Sequence, residues 1–240
     1  MLESLLFIPL ICGLLMLLLG NTIVCRTLLV ASAISHTSIS LYLASAIANG
    51  TEITALAGIM APDALGTCFL ALSSILFLAA SIYGVGYLRD EAAATRRTSI
   101  HDGASFTNAP ERRFTACLCF FLAAMTLVTT THHLGALWVG IEITTLSTAP
   151  LIYFHRHRQS LEATWKYLII CSVGIALALL GNILLTLAFY EPDKALPETM
   201  NQLEMFRMLA LEHAAQGASE SNMGFFQPWL KAAFIFLLVG

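Results

Sequence analysis

A single carboxylate stands inside a long apolar segment of this chain. Glu142 is the only acidic residue between His133 and Phe154, a stretch that otherwise has the length and composition of a membrane span. Burying a carboxylate at that depth costs about 3 kcal/mol or more, so an acid in such a place is first of all a candidate functional residue. The chemistry open to it is the uptake and release of a proton or an ion. The alternative is a structural carboxyl that hydrogen-bonds to a neighbouring helix.

A lysine in the next apolar segment is the second candidate. Lys166 lies early in the segment 163–189. If the chain turns near 155–160, the helical rise places Lys166 ~9 Å and Glu142 ~19 Å along their helices. The two would differ in depth by ~10 Å, so a direct salt bridge would need a flexed lysine or an irregular helix. A lysine whose ammonium extends to the membrane interface explains Lys166 equally well.

Five of the seven histidines lie in or beside apolar segments and are weaker candidates. His36 stands among hydroxyl residues in the middle of a span, where it is either a neutral packing residue, the slightly favoured interpretation, or a polar step in a proton path. His132 and His133 stand at the outer end of the helix that carries Glu142, and they are further candidates for a relay. His155 and His157 alternate with arginines, which favours a role as anchors at the inner membrane surface.

The composition identifies lipid as the main solvent of this chain. Its 240 residues are 58% hydrophobic and only 11% charged, whereas soluble domains carry about 25% charged residues. The mean hydropathy of +0.78 agrees. The six cysteines lie in apolar runs without metal-ligand spacing, so we interpret them as small packing residues. The sequence predicts no cofactor, no metal and no nucleic-acid partner.

The predicted fold is an all-α, polytopic transmembrane bundle of six complete spans and the start of a seventh. The first segment is a span and not a cleavable signal, because Glu3 stands where a basic residue would be needed. The last predicted helix would rise only ~20 Å, short of the ~30 Å hydrocarbon core, so we expect the natural protein to continue past Gly240. The predicted helices cover 2–20, 26–48, 65–87, 114–131, 134–154, 163–189 and 228–240.

The distribution of basic residues predicts an external N-terminus. Eight arginines lie in two loops and at one helix end on the same side, against two basic residues on the other. By the positive-inside rule the richer side faces the cytoplasm. The segment from Arg89 to Arg113 is predicted to be a loop on that side. The segment 190–227 is predicted to lie outside, with an amphipathic surface helix near 200–212.

Two segments resemble a known family of membrane subunits. Residues 137–152 (LWVGIEITTLSTAPLI) and 160–185 (SLEATWKYLIICSVGIALALLGNILL) are similar to the antiporter-like subunits of complex I, Mrp sodium/proton antiporters and energy-converting hydrogenases. The phrases 62–91, 160–167 and 231–240 are most similar to hydrogenase-4 component F, which also occurs in complexes of the formate-hydrogenlyase type. The resemblance covers essentially the whole chain.

The resemblance implies an architecture and a set of site residues. Family members are built around two inverted repeats of five helices. A central proton-translocating glutamate on helix five matches Glu142, and a lysine on helix six matches Lys166. A further lysine on a broken helix seven would follow Gly240. Residues 1–131 would form the N-terminal helices one to four, and residues 132–240 the start of the proton-translocating domain.

The resemblance also implies a function. The chain would be a proton-translocating subunit, without a redox or catalytic centre of its own, of a hydrogenase-4-like or NADH-dehydrogenase-like oxidoreductase. Its partners would be other membrane and hydrophilic subunits of that assembly, and its location the prokaryotic cytoplasmic membrane. The alternative is an Mrp-type cation/proton antiporter subunit. A purely structural anchor is disfavoured, because it would not need Glu142 inside a span.

Overall fold

The computed structural model describes residues 2–51, 53–101, 109–155, 158–188 and 227–240. The predicted amphipathic helix near 200–212 lies outside these residues. Within them the fold is all-helical, with one short 3-10 turn and two isolated β-bridges. The seven α-helices are α1 Leu2–Leu18, α2 Thr22–Ala48, α3 Ala64–His101, α4 Glu111–Thr130, α5 Leu134–Ile152, α6 Arg158–Ala188 and α7 Gln227–Val239.

Five of these helices, α2 to α6, are long and apolar enough to cross a membrane. The apolar part of α3 ends at Ala92. Helix α1 is a shorter apolar helix of 17 residues, so it falls just below the length of the other five. The chain is therefore a multi-pass helical membrane protein, and the helices begin and end within a few residues of most predicted positions.

The largest error concerns the segment after the third span. Residues 89–101 were predicted to belong to a loop, but α3 continues through them to His101. The prediction relied on apolar periodicity, which this segment lacks. Three successive alanines, Ala92 to Ala94, and the neighbouring charged residues have high intrinsic helix propensity, so they prolong α3 without an apolar stripe.

Local caps set the starts of α2 and α3. The Asn21 side chain accepts a hydrogen bond from Ile23 N–H at 3.0 Å, and α2 consequently begins four residues before the predicted position. At the start of α3, Asp63 Oδ1 accepts a hydrogen bond from Gly66 N–H at 2.7 Å. A side chain at Gly66 would collide with the carbonyl oxygen of Thr129, so glycine lets α3 approach the end of α4.

Small hydroxyl residues at seven-residue intervals form a buried stripe on α3. Thr67, Ser74 and Ser81 are 2%, 0% and 1% exposed. Each hydroxyl donates to the carbonyl four residues earlier in the chain, and the Ser74 oxygen also lies 3.0 Å from Nδ1 of His36 on α2. Small residues at a helix interface allow close approach in membranes. The Thr37 hydroxyl on α2 reaches the backbone carbonyl of Ser74 at 3.1 Å, which fits such close packing.

The helices pack in an order that largely follows the chain. Helices α1 to α4 contact one another, and α4, α5, α6 and α7 then follow as successive neighbours. Cys25 and Cys119 lie in the core shared by the first four helices, as expected for packing residues. A second core joins α5, α6 and α7 through Leu134, Leu185 and Ala233. Helix α5, with Glu142, thus contributes to this core and also packs against α4.

Candidate functional site

The rotation of α5 turns Glu142 away from α4. Gly140 packs against α4 so closely that an added Cβ would lie 2.8 Å from Val128 Cγ2. Two residues further along a helix correspond to a rotation of about 200°. Glu142 therefore lies on nearly the opposite side of α5 from the α4 contact.

Two hydrogen bonds fix the register of α5 against α6, one on each side of Glu142. The indole Nε1 of Trp138 donates to the carbonyl oxygen of Ile175 at 3.0 Å. The hydroxyls of Thr148 and Tyr167 are hydrogen-bonded at 2.7 Å. In this antiparallel pair, the two bonds place Glu142 at the level of residues 171–173 of α6.

Lys166 lies at a different depth from Glu142. Five to seven residues separate it from the level of Glu142, which corresponds to about 8–10 Å of helical rise. This offset is close to the predicted one. The Lys166 ammonium donates instead to Glu162 Oε1 at 2.5 Å, one turn nearer the start of α6. The side chain thus extends towards that helix end, as a lysine seeking the membrane interface would.

Glu142 is half-buried and borders an uncovered apolar face of α5. Val139 and Leu146, three residues before and four residues after it, are 42% and 53% exposed. None of the ion pairs formed by the described residues includes Glu142. Its backbone carbonyl accepts a hydrogen bond from the Thr145 hydroxyl at 2.8 Å. The carboxylate therefore has no fixed counter-ion among the described residues.

His36 joins three helices through its ring nitrogens. It is 1% exposed, with Nε2 2.8 Å from Thr126 Oγ1 on α4 and Nδ1 3.0 Å from Ser74 Oγ on α3. Each hydroxyl also reaches a carbonyl of its own helix, Leu70 at 2.6 Å and Leu122 at 2.8 Å. The hydroxyls can therefore act as donors or acceptors towards the ring, and either tautomer of His36 finds partners.

The structure does not bring His36 into contact with Glu142. The contact of Gly140 with Val128 implies that Thr126, two residues back along α4, lies at the depth of Glu142. The body of α5 stands between them, because Glu142 points away from α4.

His132 and His133 lie at the turn before α5. His133 is the N-cap residue, and its Nδ1 accepts a hydrogen bond from Ala136 N–H at 3.3 Å. The backbone N–H of His132 donates to the carbonyl of Ile59 at 3.4 Å. Glu142 follows His133 by nine residues, or about 13 Å of rise. The candidate relay residues thus occupy three separate places.

Two charged contacts were not foreseen from the sequence. Arg26 at the start of α2 forms a two-point ion pair with Glu111 at the start of α4, at 2.5 and 2.9 Å. At the same end of the bundle, His155 Nε2 lies 3.3 Å from Glu91 Oε1 and 3.5 Å from the Tyr87 hydroxyl. The second contact depends on the extension of α3 past residue 87. The signal available in the sequence was the spacing of four residues between Tyr87 and Glu91, which places both side chains on one face of a helix.

Comparison with known proteins relates these helices to respiratory complexes. Hydrogenase-4 component F homolog of Methylacidiphilum infernorum is 48% identical over 63 residues, which cover 26% of this chain and 13% of the relative. NADH-ubiquinone oxidoreductase chain 2 of Varanus nebulosus is 37% identical over 67 residues, which cover 28% and 19%. The same subunit of Patiria pectinifera is 32% identical over 82 residues, covering 34% and 23%. No family model matches the chain.

A solved structure shares the fold over nearly the whole chain. It is a chain of the membrane-bound sulfane sulfur reductase, an archaeal respiratory membrane complex, with a TM-score of 0.67 and 17% identity. The match covers 99% of this chain and 43% of the other. The fold is that of a multi-pass helical membrane protein, and Glu142 is a half-buried acid on one of its apolar helices. The sequence matches confirm its resemblance to hydrogenase-4 component F and NADH-ubiquinone oxidoreductase chain 2, of which it spans a part.

Proposed function

We propose that this chain is part of a proton-translocating membrane subunit of a hydrogenase-4-like or NADH-dehydrogenase-like oxidoreductase. Electron transfer would occur in other membrane and hydrophilic subunits of the same complex. Residues 132–240 would begin the translocating domain, behind N-terminal helices in residues 1–131. The complex would reside in a prokaryotic cytoplasmic membrane, with the N-terminus of this chain outside. The relatives, two of them named as respiratory oxidoreductase subunits, support this assignment.

The placement of Glu142 is the observation that carries the proposal. An acid in an apolar membrane helix is costly unless it is paired or functional. This acid borders the uncovered face of α5 and has no counter-ion among the described residues. A carboxyl without a permanent partner can change its protonation when a nearby charge moves. Glu142 would accordingly be the group that carries the proton.

Lys166 would act on Glu142 at a distance. The axial offset of about 8–10 Å is a lower bound on the separation of the two charges, because the Lys166 ammonium extends away from Glu142 to Glu162. The Lys166 side chain is also 69% exposed, so its coupling to Glu142 would be weak in this arrangement and would strengthen only if the ammonium moved. His36, His132 and His133 would contribute through water or through conformational change, since their contacts lie apart from Glu142.

Replacement of Glu142 in the full-length protein tests the proposal. Glu142→Gln keeps the side-chain volume but replaces the titratable carboxyl by an amide that can still form hydrogen bonds. Proton uptake per electron should therefore fall sharply while the complex still assembles. Glu142→Asp should have a milder effect, because it retains a carboxyl. The measurement is proton uptake into inverted membrane vesicles, normalised to electron transfer. A glutamine variant with the wild-type ratio would leave Glu142 as a structural residue.

The same vesicles distinguish the antiporter alternative. A sodium/proton antiporter exchanges ions when a sodium gradient is imposed without an electron donor. A redox-driven pump takes up protons only during electron transfer. Sodium/proton exchange that occurs without an electron donor, and that is lost in the Glu142→Gln variant, would assign this chain to an antiporter.

A further inference from the structure

A half-exposed imidazole, carboxylate and phenol meet at the end of α5 that is remote from His133. The His155 and Glu91 side chains are 40% and 27% exposed, and the Tyr87 hydroxyl approaches the same ring nitrogen of His155 as the Glu91 carboxylate. Tyr87 and Glu91 are one turn apart on α3. The cluster therefore connects α3 with the turn that follows α5.

Packing holds His155 in place. Its neighbour Phe154 is 5% exposed, stacks against Phe114 of α4 with ring centroids 4.9 Å apart, and lies edge-on to the His155 ring. The carbonyl of Phe154 also accepts a hydrogen bond from Ala109 N–H at 2.9 Å. These contacts anchor the turn, so the imidazole is presented to solvent from a fixed backbone.

Hydroxyl groups line α5 from Glu142 to Thr148, on the way towards this cluster. The Thr148 hydroxyl is bonded to the Tyr167 hydroxyl at 2.7 Å and to the Thr145 carbonyl at 2.9 Å. The Thr145 hydroxyl in turn reaches the Glu142 carbonyl. Glu142, Thr145 and Thr148 follow one another at three-residue steps, so polar groups line one strip of α5 from the acid towards its end. Such groups can hold water molecules in a proton path.

We propose that His155, supported by Glu91 and Tyr87, collects protons from water for delivery to Glu142. The inference rests on the proposed function. A proton from bulk water binds to the imidazole, and the Glu91 carboxylate stabilises the resulting cation. The proton then leaves along the hydroxyl strip and the ring returns to its neutral form. Histidine suits this step because it exchanges protons readily near neutral pH.

Chemical rescue of a His155 variant tests the inference. In inverted vesicles that contain the complete complex, His155→Gln should lower proton uptake per electron several-fold. Glycylhistidine, a zwitterion that carries an imidazole and does not cross the bilayer, should restore more than half of the loss when added outside. The wild type should not respond to it. His157→Gln, which removes the next histidine in the sequence, is the control and should retain the wild-type ratio.

The outcomes separate the inference from the function on which it rests. Unchanged uptake in His155→Gln, or a loss that glycylhistidine does not restore in a complex with normal electron transfer, would overturn the inference alone. Normal uptake in Glu142→Gln would overturn the proposed function. Glu91→Gln provides a second test, since it retains the hydrogen bond but removes the negative charge. It should reduce uptake in the same direction, and a Glu91→Gln complex with wild-type uptake would count against the role of the carboxylate.

Discussion

The ion pair of Arg26 and Glu111 should be the largest single polar contribution to stability at its end of the bundle. The guanidinium approaches both carboxylate oxygens, and the two side chains are only 19% and 11% exposed. Removing one partner of a buried pair leaves the other charge without compensation. Glu111→Gln should therefore leave the Arg26 cation without a counter-ion between the ends of α2 and α4.

The expected loss is about 3 kcal/mol. Breaking a fully buried pair costs roughly 3–5 kcal/mol, and the residual solvent contact of Arg26 favours the lower value. For a chain of this size, 1 kcal/mol shifts the melting temperature by about 2–4 °C, so Glu111→Gln should melt about 6–12 °C earlier. Glu162→Gln is the matched control. Its carboxylate also pairs with a cation, Lys166, but both side chains are more than 60% exposed, and the loss should be about 0.5 kcal/mol or less.

Thermal unfolding of the detergent-purified protein measures both variants, and a double-mutant cycle separates the pair from its parts. Arg26→Gln combined with Glu111→Gln removes both charges and should recover part of the loss of the single variants. Equal melting temperatures for Glu111→Gln and Glu162→Gln would refute the claim that the buried ion pair stabilises the protein more than the exposed one. Strict additivity in the cycle would show that the two side chains do not stabilise the protein as a pair.

Two further variants test helix contacts in the same unfolding assay. Gly66→Ala should cost about 1–3 kcal/mol of stability, because its methyl group would meet the Thr129 carbonyl. Gly86→Ala on the same helix has open space around it and should be neutral or slightly stabilising. Equal effects of the two variants would exclude the close approach of α3 to the end of α4. Ser74→Ala should cost about 1–3 kcal/mol by leaving Nδ1 of His36 without its partner. Ser73→Ala, which removes only contacts to carbonyls of α3, should stay within about 0.5 kcal/mol, and an equal loss would contradict the role of the ring.

The positions of the helices were predictable because the bilayer prescribes the length of an apolar segment. The same criterion misjudged residues 89–101, where helix continues beyond the apolar part of α3. Apolar periodicity reports burial of one face, and it says nothing of a helix extension whose stability comes from intrinsic propensity. The alanine content of this segment was the signal that indicated a longer α3.

The offset between Glu142 and Lys166 along their helices was also predictable, whereas the partners of His36 were not. Helical rise alone gave the offset between Glu142 and Lys166, because both belong to consecutive helices joined by a short turn. The partners of His36 lie 38 and 90 residues away on other helices. Such contacts depend on how each helix is rotated about its axis. One sequence with weak amphipathic patterns does not determine that rotation.

The contrast between two glutamates explains why burial alone does not identify a proton carrier. Glu111 is 11% exposed, and its carboxylate makes a two-point contact with Arg26, so this ion pair is a fixed part of the fold. Glu142 is half-buried and has no cation among the described residues. The role proposed for Glu142 requires a carboxylate without a permanent partner. The lack of a cation among the described residues distinguishes Glu142 from Glu111 in this respect.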